Sequence, residues 1–335
     1  LIMTRIVSLD IAKAICIILV VIGHYIPENS PEWYVLIHDI IYTFHMPLFM
    51  FASGYIYIAT KKDIGYGDFL IKKIKRLMLP YLVTSIIIIS IKILSQGSLS
   101  VDNPVTLISY LKMFYLPEAG YFLWFIWALW WMFVIVPLFK TPQSRMILFL
   151  ISFVWYYVPM DLPTIFCIAQ FKNMLVYFML GVFVFENKYI NDFIKEYKRS
   201  KFVSAFLLFI ILETVYFSGI IDHSLVKLMR SLLPYIGIFF VLEISKMICR
   251  YKEIEKKSLL MVVSGSSYVI YLFHTTFEGF TKAVFRKLPL DDNLWYVFLP
   301  ETFIVIMVGV IVPIVLHRYV LNRWHLTRVL FGLGK

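Results

Sequence analysis

Charge is what this sequence has least of. Asp, Glu, Lys and Arg make up 16% of its 335 residues, against 61% hydrophobic residues and a mean hydropathy of +0.81. A soluble domain carries about a quarter charged residues, so a secreted protein, a cytosolic enzyme with one anchor and a nucleic-acid-binding module are all excluded, despite a net charge of +11. Cysteine is scarce as well. Cys16, Cys167 and Cys249 are an odd number without paired spacing, which speaks against a disulfide framework or a zinc site and makes them packing residues. The 14 glycines are dispersed, and G-x-S-x-G, Walker and H-E-x-x-H motifs are missing. A serine-hydrolase elbow, a nucleotide motor and a zincin are therefore unsupported. No metal is expected.

What is present is apolar length. A span needs about 20 apolar residues, so roughly ten spans use up the chain. Breaking the apolar runs at charge clusters, Pro and Gly predicts an all-α polytopic membrane protein with helices near 10–26, 36–59, 77–95, 120–139, 145–159, 165–185, 202–219, 229–248, 261–283 and 295–320. The stretch 104–118 has too few apolar residues to span and reads as an interfacial loop or half-helix. The opening LIMTRIVSLD has neither a cleavable leader nor a lipidation pattern, so the first apolar run is expected to stay as span 1. No internal repeat is visible, and one domain over 1–335 is the simplest organisation. The aromatic clusters YFLWFIWALWW and VWYY read as interface belts and lipid-facing surface.

Lys and Arg set the orientation, because cytoplasmic connections carry their excess. Residues 5–13, 61–76, 140–145, 188–201, 246–257 and 318–335 hold 24 of the 32 basic residues, and the first opposite loop, PENSPEWYVL, holds none. Both termini are expected in the cytoplasm of a cell-membrane protein, and insertion bias with anionic lipid contact accounts for most of these cations.

Ionisable residues inside spans are expensive unless paired or hydrated, and each is a candidate functional group. In LDIAKAICIILVVIGH, Lys13 and His24 share one helix face about 16 Å apart along the axis. Snorkelling explains Lys13 taken alone. His24 is open to a structural or a functional reading. His45, in YTFHMPLFMFASGY, falls at a similar depth on the next, antiparallel helix, and Pro47 with Ser53 and Gly54 suggests a kinked, closely packed segment. Lys72, Lys73, Lys75 and Arg76 crowd into a turn and a half at the cytoplasmic start of span 3, where phospholipid headgroups or a phosphorylated cofactor would be held. His274 and Glu278 lie one turn apart in span 9, a spacing that permits pairing. Glu213, Glu243 and Glu301 have no partner assignable from sequence.

These blocks together resemble the membrane acyltransferase-3 family. LDIAKAICIILVVIGH is similar to its basic-x10-His signature, with Lys13 where Arg is more usual. FHMPLFMFASGY, KIKRLMLPY with Lys73 and Arg76, FLWFIWALWW and SYVIYLFH match its later blocks in order. The resemblance implies an enzyme that passes an acyl group, most often acetyl, from cytosolic acetyl-CoA or another acyl-CoA to a hydroxyl of a carbohydrate such as a surface polysaccharide or its lipid-linked precursor. His24 would then be the catalytic base, or the carrier of a covalent acyl group, supported by His45, with His274 or Glu278 orienting it or binding the oxyanion. Lys13, Lys73 and Arg76 would hold the donor's phosphates. A transporter or flippase for a lipid-linked glycan stays open as the alternative, though inverted repeats and paired broken helices are not visible.

Overall fold

The structure is a computed structural model that describes residues 7–334 other than 28, 99–100, 102, 252–257 and 289–293. Of the basic residues used for orientation, Arg5, Lys252, Lys256, Lys257 and Lys335 lie outside the described residues. The main helices are α1 (Val7–His24), α2 (Glu32–Ala59), α3 (Tyr66–Ser95), α4 (Tyr121–Leu138), α5 (Pro142–Tyr157), α6 (Ile165–Glu186), α7 (Lys188–Lys195), α8 (Arg199–Phe217), α9 (His223–Tyr251), α10 (Leu259–Phe285), α11 (Trp295–Leu321) and α12 (His325–Leu330). No strand occurs among the described residues. Nine of these helices are long and apolar enough to cross a membrane. The protein is an all-α polytopic membrane protein.

The segment 145–159, expected as a tenth span, is helical, but α5 has only 16 residues. At 1.5 Å per residue it reaches about 24 Å, short of a roughly 30 Å hydrocarbon core. Its ends are fixed locally. Thr141 and Ser144 form a capping box at the start, Arg145 donates to the Phe139 and Lys140 carbonyls at 2.9 and 2.7 Å, and Lys172 donates to the Val158 carbonyl at 2.6 Å beyond the last turn. The capping box satisfies an amide that the helix start leaves orphaned and Lys172 a carbonyl at its end, while Arg145 ties down the chain that enters the helix. The 104–118 stretch contains a single helical turn, Ser109–Lys112. Tyr81 of α3 pins it by donating to the Met113 and Leu116 carbonyls at 2.7 and 2.8 Å.

The chain forms two compact units, one from residues 1–61 and 180–267 and the other from 62–179 and 268–335. The first is a three-helix core in which α1, α2 and α9 pack against one another, with α8 laid on α9. Lipid tails are as apolar as Leu, so helices inside a bilayer associate by close packing rather than by hydrophobic burial, and small residues permit the approach. A Cβ at Gly237 of α9 would sit 2.3 Å from the Phe44 Cβ of α2, and one at Gly181 would sit 2.1 Å from the Phe51 carbonyl oxygen and 2.7 Å from the Tyr55 nitrogen. Pro47 lies buried within α2, and the Ser53–Gly54 neighbourhood is indeed the place where another helix backbone arrives.

In the second unit the aromatic run of α4 divides between the core and the outer surface. Leu123, Ile126, Trp127, Met132 and Phe133 are buried. Trp127 meets Tyr81 edge to face at 5.7 Å, and Phe133 meets Phe178 at 5.8 Å, so these two rings are core, whereas Tyr121 is exposed and Trp124, Phe125, Trp130 and Trp131 are half-buried, a division that hydropathy cannot make.

Because Gly181 faces backbone atoms that cannot rotate away, Gly181→Ala should destabilise the protein by about 3 kcal/mol. Gly265→Ala, where nothing lies within 4 Å of the added carbon, should be near neutral. Melting of the two detergent-solubilised variants checks this.

Candidate active site

The outer end of the first unit collects three imidazoles around one phenol. His24 is the last residue of α1, a turn nearer the helix end than the apolar pattern suggests. Tyr42 is the eleventh residue of α2, so about 15 Å of that helix stands beyond the level of His24 and makes a ledge over it. The Tyr42 ring centroid lies 4.3 Å from that of His38, 4.7 Å from His45 and 6.3 Å from His24. Gly23 makes the approach possible, since a Cβ there would stand 3.0 Å from Tyr42 Cε2. The juxtaposition expected of His24 and His45 is therefore present, with Tyr42 between them.

Each imidazole is held differently. His45 is buried, and its Nδ1 lies 2.8 Å from the Ile41 carbonyl oxygen. A carbonyl only accepts, so Nδ1 carries the proton and Nε2 keeps the lone pair. The His45 carbonyl in turn accepts from the buried Cys16 thiol across the α1–α2 contact at 3.0 Å, which gives that cysteine a packing role. His38, which sequence reasoning passed over, has its Nδ1 2.9 Å from Asp39 Oδ1 and is subject to the same argument. The missed signal was the i, i+4, i+7 spacing of His38, Tyr42 and His45 along one helix face. Among the described residues no group of three His, Cys, Asp or Glu side chains could hold a metal ion.

At the other end of α1, Lys13 is not a lone cation. Its Nζ lies 2.7 Å from Asp10 Oδ1 in an i, i+3 pair, and Asp10 also accepts from Ser264 at 3.4 Å. A phosphate reaching Lys13 would have to share it with a carboxylate. On the opposite face of α2, Thr43 donates to Glu213 Oε1 at 2.8 Å. Glu243 and Lys246 form a buried pair at 2.5 Å. These acids now have partners that the sequence did not reveal.

In the second unit, Arg76 sits in a π-helical turn, Ile74–Met78, inside α3. Such turns are frequent at functional sites. Lys73 Nζ lies 3.5 Å from the centroid of Phe133 and 5.3 Å from that of Phe69, so cation–π contact turns it onto α4. Lys72, Lys75 and Arg76 are exposed. His274 is buried, with Nδ1 2.9 and 3.0 Å from the Tyr271 and Ile270 carbonyls of its own helix. Glu278 Oε1 is buried with no hydrogen-bond partner among the described residues. The one-turn spacing of His274 and Glu278 has thus placed the imidazole on its own backbone, not on the carboxylate oxygen Oε1.

With this geometry in hand, comparison with known families decides the class. The family described as Acyltransferase domain matches residues 6–318. The chain belongs to the membrane acyltransferase-3 family. It is an acyltransferase. Neither curated proteins nor solved structures give a match. The matched range contains the imidazole ledge, the π-turn of α3 and the His274–Glu278 helix alike.

Lys246→Met should destabilise the protein by about 3 kcal/mol, because Glu243, fully buried, would lose its counter-charge. The double variant Glu243→Leu/Lys246→Met should recover most of that loss in a detergent melting assay.

Proposed function

We propose that this acyltransferase works as one domain in the cell membrane, with both termini in the cytoplasm. That needs an even number of crossings, so the 16-residue α5 crosses along with the nine longer helices, where the bilayer thins to match it. It takes an acyl group, acetyl in the first instance, from cytosolic acyl-CoA and passes it to a hydroxyl of a carbohydrate such as a surface polysaccharide or its lipid-linked precursor. The observation that carries this reading is family membership over residues 6–318 together with α1. That one helix bears a basic residue at its start and His24 at its end, about 16 Å apart, a separation comparable with an extended phosphopantetheine arm.

The chemistry assigned to His24 is general-base catalysis. A neutral imidazole has a lone pair that accepts a proton and, once protonated, an N–H that gives it back, so it can take and return a proton within one turnover. The acceptor hydroxyl gives its proton to His24 as its oxygen attacks the thioester carbonyl carbon. The carbon–sulfur bond breaks, the thiolate leaves with the electron pair, and the His24 imidazolium returns the proton to sulfur. His45 supports the site from below Tyr42, its proton committed to Ile41. His274 and Glu278 are assigned at most an orienting role.

Of the three cations assigned to the donor's phosphates, Arg76 carries the largest share. Lys13 is shared with Asp10 and Lys73 is turned onto Phe133, whereas Arg76 is exposed and offers a planar fork that fits phosphate bidentately. The transporter reading has no observation in its favour.

Two outcomes are expected in membrane vesicles supplied with radiolabelled acetyl-CoA. His24→Ala should abolish transfer to endogenous glycan at wild-type protein levels, a loss of at least about 100-fold; retained transfer would sink the assignment. Arg76→Ala should raise the acetyl-CoA KM about 10-fold, with Lys73→Ala and Lys13→Ala having smaller effects.

A further inference from the structure

The acceptor has to reach His24 from the side where α2 rises above it, and the one helical turn at that place has an unusual composition for a membrane helix. His38 and Asp39 stand one turn above Tyr42. The Asp39 carboxylate is about half exposed, at 47%, while His38 beside it is 17% exposed. A carboxylate so exposed in a span is far too costly to face acyl chains, so this turn faces water. Tyr42 is also 44% exposed, although its ring already touches all three histidines.

We propose that Tyr42, His38 and Asp39 form the acceptor subsite, which takes a hydroxylated sugar ring and presents one of its hydroxyls to His24. This rests on the acyl-transfer reading above and deepens it. A sugar offers two kinds of surface, an apolar face of C–H bonds and an equator of hydroxyls. The half-exposed Tyr42 ring supplies an aromatic platform for the first. The His38–Asp39 dyad supplies acceptors for the second. Asp39 Oδ1 accepts the His38 Nδ1 proton at 2.9 Å, which leaves Nε2 as a lone pair and the second Asp39 oxygen as a further acceptor. Two neighbouring hydroxyls can therefore donate into one rigid pair of side chains. The dyad is pre-oriented, because His38 is braced by Asp39 on one edge and by Tyr42 on a face, so little side-chain freedom is lost when the sugar docks. Depth fits as well. Tyr42 is the residue that bridges from His38 to His24, so a ring lying on it has its hydroxyls beside the proposed base.

The polymer and its lipid-linked precursor present the same chemistry, and the test separates them. Vesicles carrying the full-length protein and endogenous glycan receive radiolabelled acetyl-CoA, and the label is divided into free acetate, solvent-extractable lipid-linked glycan and polymer. The informative quantity is the ratio of transfer to hydrolysis, which does not depend on protein level. His38→Ala and Asp39→Asn should each lower that ratio about 5- to 10-fold, the loss of one hydrogen bond. Tyr42→Leu, which removes the platform, should lower it too, and by more than Tyr42→Phe, which keeps the ring. A defect of folding or of the chemical step would reduce transfer and hydrolysis together and leave the ratio unchanged, and that result, or normal transfer by the variants, overturns the subsite. Label in the extractable fraction identifies a lipid-linked acceptor, and label in the polymer alone identifies the polysaccharide; either supports a sugar on the ledge. Wild-type vesicles that consume no acetyl-CoA overturn the acyl-transfer reading itself, and the subsite falls with it.

Discussion

Close approach of helix backbones in a medium that gives no hydrophobic reward for it is the constraint on which this protein depends. In water, burying the apolar faces of α1, α2 and α9 would suffice to hold them together. In lipid the same faces are equally well solvated by acyl chains, and only dispersion at short range and a few interhelical hydrogen bonds remain. The glycines at 23, 181 and 237 sit where an added Cβ would come within 3.0 Å of a neighbouring helix. Across the α1–α2 contact the Cys16 thiol donates to the His45 carbonyl. The active-site ledge is a consequence of that packing. Gly23 brings the Tyr42 ring against α1, and Tyr42 then gathers the three imidazoles. A site assembled this way has its geometry set by helix contact rather than by loop conformation, which suits chemistry that tolerates little misplacement.

Much of this was legible in the sequence, for physical reasons. Apolar length is a strong signal because a span must satisfy its backbone internally and match a fixed thickness, so the helices emerge near their expected limits. His24 and His45 were visible because an imidazole in an apolar run has no ordinary excuse. His38 was not, because it falls only two residues inside the expected start of span 2 at residue 36, where a histidine reads as an interfacial residue, whereas α2 begins at Glu32 and carries it about one turn further into the helix. Which α4 aromatics are core, as Trp127 is, was illegible for a different reason. Hydropathy measures dislike of water and is blind to whether a Trp meets lipid or protein. The Asp10 partner of Lys13 lay in plain view at i, i+3 and was overlooked because the basic residue was read for its charge alone.

That pairing changes how the cations are understood. The basic residues of the cytoplasmic side were counted as equivalent for orientation, where only net charge matters, but they are not equivalent as ligands. Lys13 is partly neutralised, Lys73 is committed to an aromatic face, and Arg76 rides on a π-helical turn. The C-terminal segment fixes that turn's surroundings. Gly332, at φ +63°, sets its backbone against Arg76, so that a Cβ there would lie 2.9 Å from Arg76 Cα, and the neighbouring Phe331 packs 5.7 Å from Phe273. A left-handed residue with no side chain is what allows one backbone to lie on another here. Arg76 is therefore the cation with both an exposed side chain and a fixed backbone.

The division of labour between His38, His45 and His24 follows from the partner each imidazole has. A backbone carbonyl, as at His45, fixes the tautomer but brings no charge, so it favours a neutral ring that packs and accepts. A carboxylate, as at His38, fixes the tautomer and adds a negative charge at the water-facing edge, so the pair as a whole attracts hydrogen-bond donors from outside. Both arrangements commit the ring's Nδ1 proton to a fixed acceptor, unlike the proton-shuttling role proposed for His24. His24 differs from both in position. It ends its helix, where the backbone carbonyls no longer point to partners within α1. The proposed base thus lies at a helix end beside the proposed acceptor dyad, with the Tyr42 ring between them and the third imidazole against that ring.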